Sequence, residues 1–109
     1  MKRICYTLNL KKKKSLIEEY INHHNNVWPE IIRSMKESGI INAEIYNFSN
    51  RLFLLIEVDK TFSEERKTDL DKKNKFVIKW EKMMLKYQEL IPNSPGSQKW
   101  VKMNKIFEL

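Results

Sequence analysis

Apolar and polar residues alternate almost from the start of the chain: Ile4, Tyr6, Leu8 and Leu10 fall on one side of residues 2–10. A period of two predicts a strand with one face buried. Lys11 to Lys14 then mark a loop, and Ser15 with Glu18 three residues on has the capping-box pattern of a helix start. From there the period changes. Leu16, Tyr20, His24, Val27, Ile31 and Met35 recur at helical spacing, and Ile17, Ile21, Trp28 and Ile32 widen the stripe. Gly39 suits a left-handed end to this helix, and Pro29 inside it must kink it or divide it into two segments.

Two further strands are predicted, Ile40 to Phe48 and Leu52 to Val58, joined by turn chemistry between Asn47 and Arg51. The second carries Leu52, Leu54, Ile56 and Val58 on one side and Phe53 and Leu55 on the other, so both of its faces need cover. Asp59 to Asn74 is polar, with room for a short helix. Phe76, Trp80, Met83, Tyr87 and Leu90 predict a second amphipathic helix ending before Pro92. Asn93-Ser94-Pro95-Gly96 reads as a turn, and Trp100 to Phe107 as a final strand.

The order strand, helix, strand, strand, helix, strand is the ferredoxin-like split β-α-β pattern: α+β, with an antiparallel sheet and both helices on one face. Two helices cover only one side of the sheet. The other apolar face then calls for a second copy, giving a dimeric α+β barrel, or for a ligand in an open groove.

Composition narrows the function. The 109 residues fit one domain spanning 1–109. Only Gly39 and Gly96 are glycines, where average usage would give roughly eight. A phosphate-cradling P-loop, a dinucleotide turn and a nucleophile elbow all need clustered glycines, so these chemistries are excluded. The lone Cys5 excludes an internal disulfide and reads as a small buried hydrophobe on the first strand. Reduced cytoplasmic surroundings are the expectation, with no membrane contact: the run after Lys2-Arg3 is too short for a signal peptide, and Leu52 to Ile56 cannot span a bilayer. A net charge of +7 invites a nucleic-acid reading, but seventeen lysines stand against four arginines. Base and phosphate recognition leans on the arginine fork, and Lys72, Lys75, Lys79, Lys82 and Lys86 have the spacing of a solvated helix face. No nucleic-acid partner is expected.

Tyr20 and His24 lie four apart on the first helix, so a phenol and an imidazole point the same way. Such a pair can move a proton and hold a small ligand, or it can be a hydrogen-bonded piece of core. The spacing alone leaves both open. His23 is expected to face outward, and two adjacent histidines diverge by about 100° on a helix, a poor start for a metal site. Trp28, Trp80 and Trp100 could stack on the apolar face of a sugar or simply pack. Among Glu44, Glu57 and Glu81, nothing in the spacing singles out a carboxylate for ligand contact.

Longer motifs go further. Glu19-Tyr20, His24-Asn25 and Val27-Trp28-Pro29-Glu30-Ile31 together resemble the signature of the L-rhamnose mutarotase family. The similarity continues through Gly39, Ile45-Tyr46, Asn50-Arg51-Leu52-Phe53, Lys79-Trp80, Lys82-Met83-Met84 and Asn93-Ser94-Pro95. The resemblance implies a cytoplasmic, cofactor-free, homodimeric α+β barrel that interconverts the α and β anomers of a 6-deoxy-L-hexose. It implies His24 as proton donor, Tyr20 as a sugar contact and Trp80 as the first of a paired-tryptophan segment. Glu81 stands where the second tryptophan would be, and Ala43 where the rhamnose enzymes carry a substrate-contacting tyrosine. These departures fall where the sugar is gripped, and Lys99-Trp100 with Ile106-Phe107-Glu108-Leu109 is similar to relatives associated with L-fucose. A dimeric α/β-barrel monooxygenase and a non-catalytic ligand-binding module are the competing readings of the same fold.

Overall fold

A computed structural model describes residues 2–92 and 99–109. In chain order these form β1 (Lys2–Leu10), α1 (Lys14–His24), α2 (Pro29–Glu37), β2 (Ile40–Phe48) and β3 (Arg51–Val58). There follow α3 (Glu64–Lys72), α4 (Lys75–Met84), β4 (Gln88–Glu89) and β5 (Val101–Lys102). The strands make one antiparallel sheet in the order β2-β3-β1-β4, with β5 also on β1. This is the expected α+β, ferredoxin-like arrangement, except that each connection carries two helices in place of one.

The register explains which residues are buried. Ile4 pairs with Ile56, Tyr6 with Leu54 and Leu8 with Leu52, so one face collects the apolar set of both strands. Ala43 and Ile45 of β2 continue that face opposite Ile56 and Leu54. The helices lie on it, and two core clusters form. One joins Leu8, Leu10 and Leu52 to Tyr20, Ile31, Val77, Trp80, Met84 and Tyr87. The other joins Ile4, Ile40, Ile56 and Val58, and Met35 of α2 packs against both. On the opposite face Cys5, Phe53 and Leu55 are half-buried and Tyr46 and Phe48 exposed. Cys5 is therefore not the buried hydrophobe the sequence suggested, because its strand position points it away from the helices.

Pro29 divides the long helix. Its fixed φ and missing N–H suit the first position of α2, and Trp28 before it is extended at φ −57°, ψ 136°. Gly39 ends α2 at φ +101°, and the Asp59 N–H donates to its carbonyl at 2.9 Å. Arg66 secures the same corner, its guanidinium donating to the carbonyls of Ser38 at 3.0 Å and Glu37 at 3.1 Å.

Several expectations are corrected. Ser15 does not cap α1; the helix already includes Lys14, and Lys13 sits at the cap position without a side-chain bond. Side-chain caps occur instead at Ser63, which accepts from the Arg66 N–H, and at Asn74, which accepts from Phe76 and Val77. The buried stripe of α4 is Val77, Trp80 and Met84: Trp80 is buried as expected, as is Tyr87 beyond the helix, but Phe76 is exposed and Met83 half-buried. The helix also ends early. Lys11 donates to the Tyr87 carbonyl at 2.8 Å, and Gln88–Glu89 joins the edge of β1 as a strand. The final strand is only Val101–Lys102, with Met103 donating to the Cys5 carbonyl. The turn expected at Asn93–Gly96 lies outside the described residues. No helix among the described residues is long and apolar enough to cross a membrane.

Candidate functional site

The helical stripe of α1 turns Tyr20 inward to 3% exposure and brings His24 one turn later to a half-buried position. The two rings lie 4.4 Å apart between centroids, tilted by 32°. Trp80 arrives from α4, its ring 5.6 Å from the His24 ring at 75°, and Trp28 also meets Trp80, at 5.1 Å and 75°. Four side chains from α1, α4 and the α1–α2 connection therefore form one aromatic wall. Edge-to-face geometry of this kind suits ring quadrupoles and holds each ring in place.

One hydrogen bond defines His24. Its Nδ1–H donates to the backbone carbonyl of Tyr20 at 2.9 Å. A carbonyl can only accept, so Nδ1 carries the proton and Nε2 of the neutral ring is a bare base. Burial holds the imidazole pKa below its usual value, the Tyr20 carbonyl pulls it back up, and the neighbouring His23 lowers it again. At neutral pH the resident form is thus neutral imidazole, and once protonated it is a stronger acid than free histidine. Burial pushes the Tyr20 phenol up to about 12, partly offset by the Gln88 side chain. Tyr20 keeps its proton near neutrality, so its hydroxyl is able to donate.

His23 does not face solvent. It is half-buried, and its Nε2 lies 3.0 Å from the Tyr87 hydroxyl, which donates to Glu19 Oε1 at 3.4 Å. Tyr87 itself is 3% exposed, its ring centroid 6.1 Å from that of Tyr20 in an edge-on arrangement at 71°. Three residues after Tyr20, His23 falls on the same flank of α1, where Trp80 and Tyr87 pack against it. Two surface hollows among the described residues lie away from this wall. The one of about 720 Å³ is bounded by Lys2, Ile4, Val58, Phe62, Glu64 and Lys102 at the far end of β1, away from His24. Side-chain chemistry, not volume, marks the candidate site.

Residues 3–109 match the family described as L-rhamnose mutarotase. The chain belongs to that family. A Xanthomonas campestris pv. campestris protein named L-fucose mutarotase is 32% identical over 111 residues, covering 100% of this chain and 89% of the relative. One from Phocaeicola vulgatus named L-rhamnose mutarotase is 31% identical, over 87% of this chain and 88% of its own. Among solved structures, an L-rhamnose mutarotase from Formosa agariphila shares the fold with a TM-score of 0.73 at 20% identity, covering 100% of this chain and 99% of that one. A dimeric ferredoxin-like protein from an uncultured marine organism shares it with a TM-score of 0.60 at 16% identity, covering 99% and 98%.

Within this family fold Tyr20, His24 and Trp80 come together, and Glu81 and Ala43 do not join them directly. Glu81 is exposed on α4, one residue past the buried Trp80 and so rotated by about 100° from it. Ala43 is half-buried on β2 and packs against the neighbouring cluster of Ile4, Ile40, Ile56 and Val58, on the same sheet face. Trp100 packs against the first cluster from the end of the chain. Tyr87 and Gln88 were missed as site neighbours. Tyr87 belonged to a predicted helix, and only the addition of β4 to β1 carries the two residues under Tyr20.

Proposed function

We propose that this single α+β domain is a sugar mutarotase, interconverting the α and β anomers of a 6-deoxy-L-hexose, L-rhamnose or L-fucose, without a cofactor. The observation that carries the reading is the His24 Nδ1–H bond to the Tyr20 carbonyl, which leaves Nε2 free beside a phenol donor in a chain of the L-rhamnose mutarotase family.

Mutarotation breaks and remakes one bond. Neutral His24 takes the proton of the anomeric hydroxyl at Nε2, the bond from the anomeric carbon to the ring oxygen breaks, and an aldehyde forms. The ring oxygen leaves as an alkoxide and receives a proton from the His24 imidazolium, so His24 returns to its starting state. Rotation about the bond from the aldehyde carbon, followed by the reverse steps, closes the other anomer. The anomeric hydroxyl and the ring oxygen share a carbon, which keeps both within reach of one imidazole nitrogen. Tyr20, held as a phenol, donates a hydrogen bond to the oxygen that gains negative charge. Trp80 offers an apolar wall for the carbon face of the sugar. Ala43 and Glu81 stand outside this wall, Ala43 against the neighbouring cluster and Glu81 exposed on α4, so any hold they have on the sugar is at the margin of the site.

The working form is a homodimer in the cytoplasm. Half-buried Phe53 and Leu55 with exposed Tyr46 and Phe48 leave an apolar sheet face that a second copy covers, and the solved neighbour described as dimeric supports the same arrangement. A free thiol at half-exposed Cys5 suits reducing surroundings. Magnetisation transfer between anomeric proton signals tests the activity with L-rhamnose and L-fucose side by side. Wild type accelerates exchange of at least one sugar and His24→Ala does not; equal exchange with and without protein refutes the reading.

A further inference from the structure

Gln88 faces the helices because it pairs with Leu10, whose side chain is fully buried on that face. Its neighbour Glu89 pairs with Asn9 and takes the opposite side. That orientation puts the Gln88 amide on the side of the sheet that carries Tyr20, close enough to influence the phenol. The Gln88 Oε1 atom is buried and has no hydrogen-bond partner among the described residues. Buried amide oxygens are nearly always partnered in folded proteins, so an orphan next to the phenol of a binding site points to a missing donor.

We infer that Gln88 binds substrate: its amide oxygen, orphaned beside the Tyr20 hydroxyl, accepts a hydrogen bond from a ring hydroxyl of the sugar. The inference rests on the mutarotase reading and adds a specificity element to it. Gln88 Oε1 takes a proton where Tyr20 gives one, so the pair reads the positions of two oxygens on the bound ring. A sugar lacking the hydroxyl opposite Gln88 leaves the buried oxygen unpaired and is rejected, which hydrophobic contacts alone do poorly.

The test compares anomer exchange of the faster of L-rhamnose and L-fucose with that of its 2-deoxy, 3-deoxy and 4-deoxy derivatives. It uses wild type, Gln88→Leu and Gln88→Met, the methionine keeping the length of the side chain should leucine disturb β4. Wild type is expected to process one deoxy sugar about tenfold less efficiently than the parent sugar, in kcat/KM. In both variants the parent falls to the level of that deoxy sugar, and the other two deoxy sugars keep their wild-type ratios. A role confined to packing would lower all four sugars together. Wild-type indifference to all three deletions overturns the inference, as does full discrimination retained in a folded variant. If wild type accelerates exchange of neither sugar, the mutarotase reading fails, and Gln88 is read from sugar-induced quenching of tryptophan fluorescence with the same set. Loss of the deoxy discrimination in a Gln88 variant then supports the assignment, and its retention, or binding of none of these sugars by wild type, refutes it.

Discussion

The proton accounting at His24 makes a prediction that separates this mechanism from its mirror image. If the resting enzyme needs neutral imidazole at Nε2, kcat/KM for anomer exchange rises with pH through the His24 pKa and then stays level. Burial holds that pKa below the ordinary value of about 6.5. The acid limb therefore lies below pH 6.5, and the plateau runs through neutrality, because Tyr20, at about 12, does not ionise there. His24→Ala removes the acid limb and lowers kcat/KM by about 10²- to 10⁴-fold, or about 2.7–5.5 kcal/mol of barrier. The assay is anomeric magnetisation transfer from pH 4.5 to 9, with spontaneous exchange subtracted at each pH. An acid limb above 6.5, or a rate that falls as pH rises through neutrality, refutes the scheme, since the resting enzyme would then need imidazolium.

The same group links folding to pH. The folded state disfavours the charged ring, so its pKa lies below that of the unfolded chain. Stability is then fully present above about pH 6.5 and lost as pH falls through the lower, folded-state value. Wild type melts progressively lower as pH drops from 7 to 5, and His24→Ala loses part of that dependence. Equal pH dependence in the two proteins would place the titration elsewhere.

Other substitutions test the frame around the site. A methyl group at Gly39 would stand 2.7 Å from the Asp59 carboxylate and 2.8 Å from the Thr61 hydroxyl, at a φ of +101°. Gly39→Ala therefore costs more than about 1 kcal/mol in a denaturant melt, and an unchanged midpoint refutes the close approach. Tyr87→Phe keeps the buried ring but removes the bond to His23; it costs about 1 kcal/mol and slows exchange, with wild-type Tm and rate as the contrary result. Phe53→Asp with Leu55→Asp puts two charges on the open sheet face and converts the dimer to a monomer by sedimentation. A wild type that sediments as a monomer removes the proposed interface.

Periodicity settled the first three strands and the covering of one sheet face. Ile4, Leu8 and Leu10 alternate, and a strand with that spacing has one way to bury them; Leu52, Ile56 and Val58 do the same opposite. Pro29 and Gly39 marked real boundaries because each limits the backbone by its own covalent structure. Tyr20 and His24 share a face for the equally local reason that they lie four apart in one helix. Local chemistry could not say whether that face was core or site; longer motifs, read as a resemblance, pointed to a site. Tertiary structure alone decided the rest. Helical spacing carried the predicted α4 past Met84, yet the unpaired edge of β1 beside Asn9 and Leu10 took Gln88–Glu89 as a strand. That competition between a local hydrogen bond within a helix and a distant one across a sheet is not written in either segment by itself. It brings Tyr87 against His23 and Gln88 to the Tyr20 side of the sheet.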